Sequence, residues 1–380
     1  MNKHFDAKME TNFSGKGWKY QNIPSFSPIQ RALPRVLQSN LTHIDLNSDF
    51  LLVPPTSAWT FEMLRSSPIV TLTVSIRGRI QKEEFTSYVF PAIAASVPGL
   101  QSLRITFLDD DFLTVVVDNL YRLPLLRKMV VGLSFSRGYA LSTSIPTIKR
   151  IKLDHFTTFT GSSEQAAYFV QIPIMLPNLQ FINVINDSYF QSYTFETDYM
   201  AIAAHFGIIN RRMLEMNIHP SISLCLANQN NIGDSIASTV PADIIGSDCS
   251  QHFTIISCLT LKVVYHLPPA ETAETHLTYD LLVDYTLSWL NLFQDLRYLT
   301  LLVKCNRPID DSVQSYIVSL IKARFPKMVS VNLVNLTVEP DKQHYHWSNA
   351  HSDWGRGTYD IPTTLEYERK SRELCVCSHF

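Results

Sequence analysis

The chain of 380 residues has few charges and no basic excess. Its 32 Lys and Arg residues are outnumbered by 34 Asp and Glu residues, so the formal net charge is −2, and only 17% of residues are charged. Proteins that bind phosphate backbones or adsorb to acidic membranes usually carry a clear positive excess. We therefore expect neither nucleic acid nor a membrane surface among the partners, and any basic patch must be local.

Long apolar segments are also missing. The first twenty residues contain no apolar run of the length that a secretory signal needs. No stretch of 18 apolar residues occurs, since even the apolar segment 279–293 contains Asp280 and Asp284. Six cysteines in a long chain without an export signal indicate reduced thiols. These absences predict a cytoplasmic or nuclear protein.

The short motifs of common catalytic sites are absent from the sequence. We find no G-x-S-x-G, no H-E-x-x-H, no G-x-x-x-x-G-K followed by Ser or Thr, and no G-x-G-x-x-G after a strand pattern. The GK in segment 14–19 lacks the spacing of a phosphate-binding loop, and the GRG at Gly355 follows no strand pattern. We expect a chain that is not an enzyme and that binds no cofactor.

Three groups of polar residues could in principle hold a metal ion. Asp109–Asp111 open a helical pattern, where carboxylates are favoured by the helix dipole, so we interpret them as capping residues. The other two groups are His344, His346 and His351 with Asp353, and Cys375 and Cys377 with His379. Neither has regular ligand spacing. We interpret the histidine group as part of an exposed tail or of a cap on the last repeat. We interpret the two cysteines as free thiols rather than as a metal site or a prenylation box.

A short apolar pattern recurs along the chain, for example in SVPGLQSLRITF, LPLLRKMVVGL, IPTIKRIKLDH, LPNLQFINVIN and FPKMVSVNLVN. Its core is L-x-x-L-x-L, where L is a large aliphatic residue, and a proline often precedes it, which ends a helix and starts an extended segment. Copies are about thirty residues apart, the length of one strand and one helix with their turns. The first residues of the ten copies are Leu41, Ile69, Leu100, Leu126, Ile148, Leu179, Met213, Ile256, Leu296 and Met328.

Helical patterns lie between the copies. Residues 311–324 place apolar side chains at helical spacing, and Asp311 with Gln314 has the spacing of a capping pair. Ser162 and Gln165 repeat that spacing. A polar, turn-rich segment, Ala227–Phe253, interrupts the pattern and is predicted to be a long loop, mobile or used in binding.

Repeated strand and helix units predict an α/β solenoid of about ten irregular repeats, with a curved parallel sheet on the concave face and helices on the convex face. Alternation along each strand directs pattern positions 4 and 6 into the core and positions 3, 5 and 7 onto the concave face. We expect an N-terminal extension over residues 1–36, the solenoid over 37–338 and a C-terminal tail or cap over 339–380.

The phrases LTHIDL, LQSLRI, LQFINV and LRYLTL carry a family resemblance. They resemble leucine-rich repeats of the irregular kind found behind F-box domains in fungi. The resemblance implies a horseshoe fold and a protein-binding concave surface, as in the substrate-recognition region of an F-box-type ubiquitin ligase subunit, with the ligase adaptor as a further partner. The chain departs from the family in lacking the usual Asn or Cys at position 9 and in showing no F-box. A scaffold or regulatory binding protein unconnected with ubiquitin is the alternative.

Positions 3 and 5 of neighbouring copies predict a local basic patch on the concave face. Adjacent strands lie about 4.8 Å apart, so cations on three of them would share one surface. The candidate partner-binding residues are Arg104, Lys128, Arg150, Lys152, Phe181 and Tyr298. We expect them to bind an acidic or phosphorylated segment of a protein partner. The alternative is a solvated sheet face whose charges only maintain solubility.

Overall fold

The computed structural model describes residues 40–76, 80–106, 111–132, 151–187, 199–231, 248–265, 277–305 and 309–337. These residues form a mixed α/β fold built on a ten-stranded parallel sheet, which confirms the predicted class and the predicted parallel sheet. The strands are β1 His43–Leu46, β2 Thr71–Ser75, β3 Ser102–Thr106, β4 Lys128–Gly132, β5 Ile151–Lys152, β6 Thr158–Gly161, β7 Ile174–Met175, β8 Phe181–Asp187, β9 Ser221–Asn231, β10 Ile256–Tyr265, β11 Tyr298–Cys305 and β12 Ser330–Thr337.

Helices lie between most of the strands. Helix α2 contains a π-helical turn, Phe85–Val89, between the α-helical segments Lys82–Glu84 and Phe90–Ser96. The other α-helices are α1 Ser57–Arg65, α3 Asp111–Asp118, α4 Ser163–Gln171, α5 Tyr199–Met216, α6 Leu277–Leu290 and α7 Asp311–Arg324. Short 3-10 helices cover Asp49–Leu51, Leu120–Arg122 and Asp248–Ile255. None of the helices in the described ranges is long and apolar enough to cross a bilayer.

The order of strands in the large sheet follows the chain. It runs β1-β2-β3-β4-β6-β8-β9-β10-β11-β12, and every neighbouring pair is parallel. A parallel pair requires the chain to return to the starting edge before each new strand, and the helices supply that return. β5 and β7 pair with each other in a separate two-stranded sheet.

The apolar pattern forms the core where its copies become sheet strands. In β3, Leu103 and Ile105 are fully buried, and Leu103 pairs with Met129 of β4. In β11, Leu299 and Leu301 occupy the equivalent positions. One continuous cluster of buried residues extends from Leu46 to Val331 and includes the buried faces of the helices. Burial of one or two apolar side chains per strand therefore joins the ten strands to the helix layer.

The structure contradicts the strand predicted at the Ile148 copy. That copy provides β5, which lies outside the ten-stranded sheet. The place between β4 and β8 is taken by β6, where Phe156 and Phe159 are the buried residues of a second, less aliphatic copy of the pattern. The Phe159 ring stacks on Phe169 of α4 at 4.6 Å between centroids, which fills the core beneath this strand.

The prediction at Met213 is also wrong. Met213 is a buried residue of α5, and the strand that follows is β9, whose Ile222 pairs with Ile182 of β8. Strand β9 continues to Asn231, and a 3-10 helix begins at Asp248. Both ends of the predicted loop Ala227–Phe253 are therefore regular structure, and residues 232–247 lie outside the described ranges.

Of the two predicted capping pairs, the one at Ser162 and Gln165 is confirmed. The Ser162 hydroxyl accepts a hydrogen bond from the backbone N–H of Gln165, whose side chain accepts one from the backbone of Ser162. At α7 the capping residue is Asp310 rather than Asp311, and the Gln314 amide donates to the carbonyl of Ile309 at 2.9 Å. Helix α3 begins at Asp111, and the two aspartates before it lie outside the described residues.

Candidate functional site

The ten-stranded sheet has one face on the helix-lined core and a second face, which we call the open face. The two faces are distinct, because three apolar strand residues are at most 8% exposed and yet do not belong to the core cluster. These residues are Val130, Cys258 and Leu302. Each occupies a strand position that alternates with the core residues of β4, β10 and β11. The open face therefore presents positions 3, 5 and 7 of the apolar pattern.

The register aligns these positions into rows across the strands. The residues at position 3, from β2 to β9, are Thr71, Ser102, Lys128, Thr158, Phe181 and Ser221. The residues at position 5 over the same strands are Thr73, Arg104, Val130, Thr160, Asn183 and Ser223. Hydroxyl side chains make up four of the six residues at position 3 and three of the six at position 5, and the cations in these rows lie on the adjacent strands β3 and β4.

Arg104 and Lys128 are brought together on the open face. Arg104 of β3 pairs with Val130 of β4, and Lys128 of β4 pairs with Ser102 of β3, so the two cations are one strand and two residues apart. Both side chains are half-buried. Partial removal from water strengthens the attraction of a guanidinium and an ammonium group for an anion between them.

The other two predicted cations do not join them. Lys152 lies in β5, in the small two-stranded sheet, so the prediction that places it beside Arg104 is wrong. Its ammonium group is exposed and lies 2.7 Å from a carboxylate oxygen of Asp154. Arg150 lies outside the described residues. In their place, β6 contributes Thr158 and Thr160 to the open face.

The two predicted aromatic residues lie on the open face. Phe181 of β8 is half-buried and lies between Thr158 of β6 and Ser221 of β9. Tyr298 of β11 is half-buried between Cys258 of β10 and Ser330 of β12. β9 and β10 separate the strands of the two rings, so the rings are two apolar contact points on one surface.

A hydrogen-bonded row of small polar groups continues from the cations. The Asn183 amide donates to the Thr160 hydroxyl at 3.3 Å, and the Ser223 hydroxyl donates to the Asn183 amide oxygen at 2.8 Å. Farther along, the hydroxyls of Ser221 and Ser257 are 3.0 Å apart. These bonds hold the side chains upright across four strands and leave a surface able to donate and accept further hydrogen bonds.

Thr160 and Ser223 were not predicted as part of this surface. The strict aliphatic template assigned the neighbouring copies to Ile148 and Met213, so the outward positions of β6 and β9 were misplaced. Accepting aromatic residues would have found β6, because Phe156 and Phe159 have the spacing of positions 1 and 4, and Thr158 and Thr160 then fall at positions 3 and 5. For β9, the alternation of Ile222, Leu224 and Leu226 was the available signal.

Outside the open face, the described residues offer weaker candidates for a site. The described ranges contain no cluster of three His, Cys, Asp or Glu side chains suited to a metal ion. The hydroxyl of Ser163 is 3.1 Å from Nδ1 of His205, a contact of the kind that activates a nucleophile. Ser163 is only 4% exposed and lies in the first turn of α4, so this bond ties α4 to α5 rather than offering a reactive group to substrate.

Neither the models of known protein families nor the curated protein sequences give a match to this chain. The open face of the sheet combines two neighbouring cations, a hydrogen-bonded polar row and two aromatic side chains in a fixed register.

Proposed function

We propose that the chain is a leucine-rich-repeat solenoid that recognises a protein partner on its open face, which is the concave face of that architecture. The observation that supports it most is the register that places Arg104, Lys128 and Phe181 on nearby strands of one parallel sheet. A rigid sheet fixes such side chains relative to one another, and this favours recognition of a surface or an extended segment.

The partner group opposite the cations is acidic or phosphorylated. A guanidinium and an ammonium group pair with carboxylates or phosphates through charge-assisted hydrogen bonds. Among the described residues of the open face from β2 to β9, two cations lie together, and the chain as a whole has a net charge of −2. A polyanion such as nucleic acid would need a longer basic track, so a single anionic group on a protein fits better.

The distances between the cations and the two aromatic side chains predict the spacing of the residues that the partner presents. Three strand steps lead from Arg104 on β3 to Phe181 on β8, and three more lead to Tyr298 on β11. Each set of three steps covers about 14 Å, which an extended chain spans with about four residues. The expected ligand is a segment that crosses the strands, with an acidic or phosphorylated residue followed by two apolar residues at intervals of about four.

The resemblance to F-box-associated repeats suggests where this recognition is used. In that setting the chain is the substrate-recognition region of an F-box-type ubiquitin ligase subunit. The second candidate is a scaffold or regulatory binding protein without a ligase. Affinity purification of the full chain from its own cells distinguishes them: co-purification of a ligase adaptor and cullin supports the first, and their absence beside another enriched partner supports the second.

Charge reversal at the paired cations tests the site. We expect R104E/K128E to weaken binding of the purified partner at least tenfold, because repulsion replaces attraction for the anionic group. The matched control is K152E, which changes an exposed lysine off the open face. Equal weakening by both variants, or unchanged affinity of the double variant, would contradict the site.

Stability and phosphorylation need separate readouts. Thermal melting of each variant shows whether lost binding reflects lost folding, and the neutral variant R104Q/K128Q should give an intermediate loss of affinity. Phosphatase treatment of the partner distinguishes the two anionic groups. Loss of binding after treatment identifies a phosphate, and retention identifies a carboxylate.

A further inference from the structure

Val130 is an apolar residue in the middle of the polar open face, and three side chains that can donate hydrogen bonds border it. Arg104 of β3 and Thr160 of β6 pair with it in the register on its two sides. Lys128 lies two residues before it on β4 and therefore points to the same face. Val130 is 8% exposed although it lies outside the core cluster, so its neighbours on the open face shield it from water. We call this arrangement the Val130 cradle.

The hydroxyl group of Thr160 is directed into the Val130 cradle. Its oxygen accepts a hydrogen bond from the Asn183 amide at 3.3 Å, and the Asn183 amide oxygen accepts one from the Ser223 hydroxyl at 2.8 Å. Because the Thr160 oxygen is the acceptor in its bond with Asn183, the hydroxyl hydrogen is directed away from that amide. The register places Val130 on the other side, and a valine side chain has no acceptor. Thr160 is only 8% exposed, and it offers a ligand above Val130 a donor that is already oriented.

The fourth side of the Val130 cradle is formed by a glycine. Gly132 lies two residues after Val130 on β4, and it pairs with Thr106 of β3. A Cβ at Gly132 would lie 2.6 Å from the Thr106 hydroxyl oxygen, so this hydroxyl leans over the place where a side chain would be. The fourth side therefore offers a small hydroxyl group and no bulky side chain of β4 that would keep a ligand out.

The charges around the Val130 cradle favour an anion with more than one negative charge. Arg104 and Lys128 bring two positive charges, and positions 3 and 5 of the strands from β2 to β9 contain no carboxylate among the described residues. A phosphate monoester carries a charge of about −1.5 to −2 near neutral pH, whereas a carboxylate carries a single charge. The exclusion of water from Val130 strengthens the attraction between the cations and such a group.

We propose that the Val130 cradle binds the phosphate monoester of a phosphorylated residue of the partner, with Thr160 as the third donor. The inference rests on the proposed function and specifies the anionic group that the paired cations bind. A carboxylate has two oxygens in one plane, and two cations are enough to pair with both. A phosphate monoester has three terminal oxygens that point to different sides. Arg104, Lys128 and Thr160 lie on three sides of Val130 and can each bind one of them.

Binding of small anions to the full chain tests the proposal. The probes are methyl phosphate, inorganic phosphate and acetate, compared at one ionic strength and at slightly alkaline pH, where both phosphates carry two charges. The shifts of the backbone amide signals of β3 and β4 in NMR spectra give the dissociation constants. We expect methyl phosphate to bind at least about fivefold more tightly than acetate, and inorganic phosphate to bind about as tightly as methyl phosphate.

Threonine variants identify the third donor. T160V removes the hydroxyl and keeps the shape of the side chain, so it should weaken methyl phosphate about fivefold and leave acetate nearly unchanged. T160S keeps the hydroxyl and should retain most of the affinity. T300V on β11 is the matched control, because Thr300 is half-buried on the same sheet and lies far from the cations. The comparison of anions in the unmodified chain needs no variant, so the proposal stays testable should T160V fail to fold.

The results separate this proposal from the proposed function. Equal affinity for methyl phosphate and acetate, or equal weakening of both anions by T160V, would overturn the phosphate assignment. Binding of inorganic phosphate without methyl phosphate would also overturn it, because the site would then bind free phosphate. In each case the proposed function stands if R104E/K128E still weakens the purified partner, which then presents a carboxylate. If R104E/K128E changes the affinity of neither the partner nor methyl phosphate, both proposals fail.

Discussion

The two halves of the large sheet bury the same pattern with strands of different length. β1 to β4 and β6 have four or five residues, whereas β8 to β12 have seven to eleven. Core burial does not explain the difference, since Leu103 with Ile105 and Leu299 with Leu301 are all at most 1% exposed. Two aliphatic side chains are enough to hold a strand on the helices. The added residues extend the open face instead.

Position 7 of the pattern shows what the extra length changes. In the short-strand half this position is held by Ser75, Thr106 and Gly132, which pair with one another across β2, β3 and β4. In β11 and β12 of the long-strand half it is held by Leu302 and Val334, which pair with each other. The open face is therefore small and polar at one end and broader and more apolar at the other. A partner with one charged and one apolar end would bind in a single direction.

The largest expected effect on the free energy of unfolding comes from comparing a core phenylalanine with one on the open face. F159A removes a ring that is 1% exposed and stacked on Phe169, and we expect a loss of about 3–5 kcal/mol in the free energy of unfolding. F181A removes the same number of atoms from the half-buried open face and should cost about 1 kcal/mol or less. Urea unfolding measures both. Similar losses would mean that the open face is as tightly packed as the core.

A glycine substitution tests the crowding at position 7. A Cβ at Gly132 would lie 2.6 Å from the Thr106 hydroxyl, so we expect G132A to destabilise the fold by about 1–3 kcal/mol. G99A is the control, because a Cβ there meets nothing within 4 Å, and it should change stability by about 0.5 kcal/mol or less. A neutral G132A would show that the short strands can separate to accept larger residues.

The helix starts differ between the halves as well. S162A breaks a complete capping box at α4 and should cost about 1 kcal/mol. D310A at α7 removes a capping residue whose side chain makes no cap hydrogen bond, so a smaller loss is expected. Thermal melting of both variants at one pH gives the comparison. An equal or larger loss from D310A would contradict the assigned difference between the two caps.

The smallest effect concerns a carboxylate of the short-strand half. Desolvation raises the pKa of Asp118, which ends α3. A carboxylate with a higher pKa in the folded protein binds its proton more tightly there than in the unfolded chain, so the ionised group lowers stability above its unfolded pKa. We expect D118N to raise the melting temperature slightly at pH 7, with the gain shrinking as pH falls through the raised pKa. D284N on α6 is the matched control for the Asp-to-Asn substitution itself.

Several features of the fold were predicted from the sequence because they depend on local order. Apolar residues at fixed spacing must be buried, and this correctly identified the core residues of β2, β3, β4, β8 and β11. Alternation then placed Arg104, Lys128, Phe181 and Tyr298 on the opposite face. The capping box at Ser162 was identified in the same way, since both of its hydrogen bonds join residues three apart.

Other features depended on contacts between distant residues. Ile151 with Leu153 and Phe156 with Phe159 are two neighbouring apolar pairs, and both are buried. Only the segment with Phe156 and Phe159 forms a strand of the large sheet, because one strand fills the space between β4 and β8. The segment with Ile151 and Leu153 pairs with β7 instead. Because β5 lies outside the large sheet, Lys152 does not lie beside Arg104.

The order of apolar and polar residues predicted which side chains avoid water and, through strand alternation, which of their neighbours face the other way. Which apolar segments become sheet strands, and therefore which polar residues share the open face, depends on long-range pairing. Burial follows from each residue's own chemistry, whereas strand pairing is a competition among segments for the same backbone hydrogen bonds.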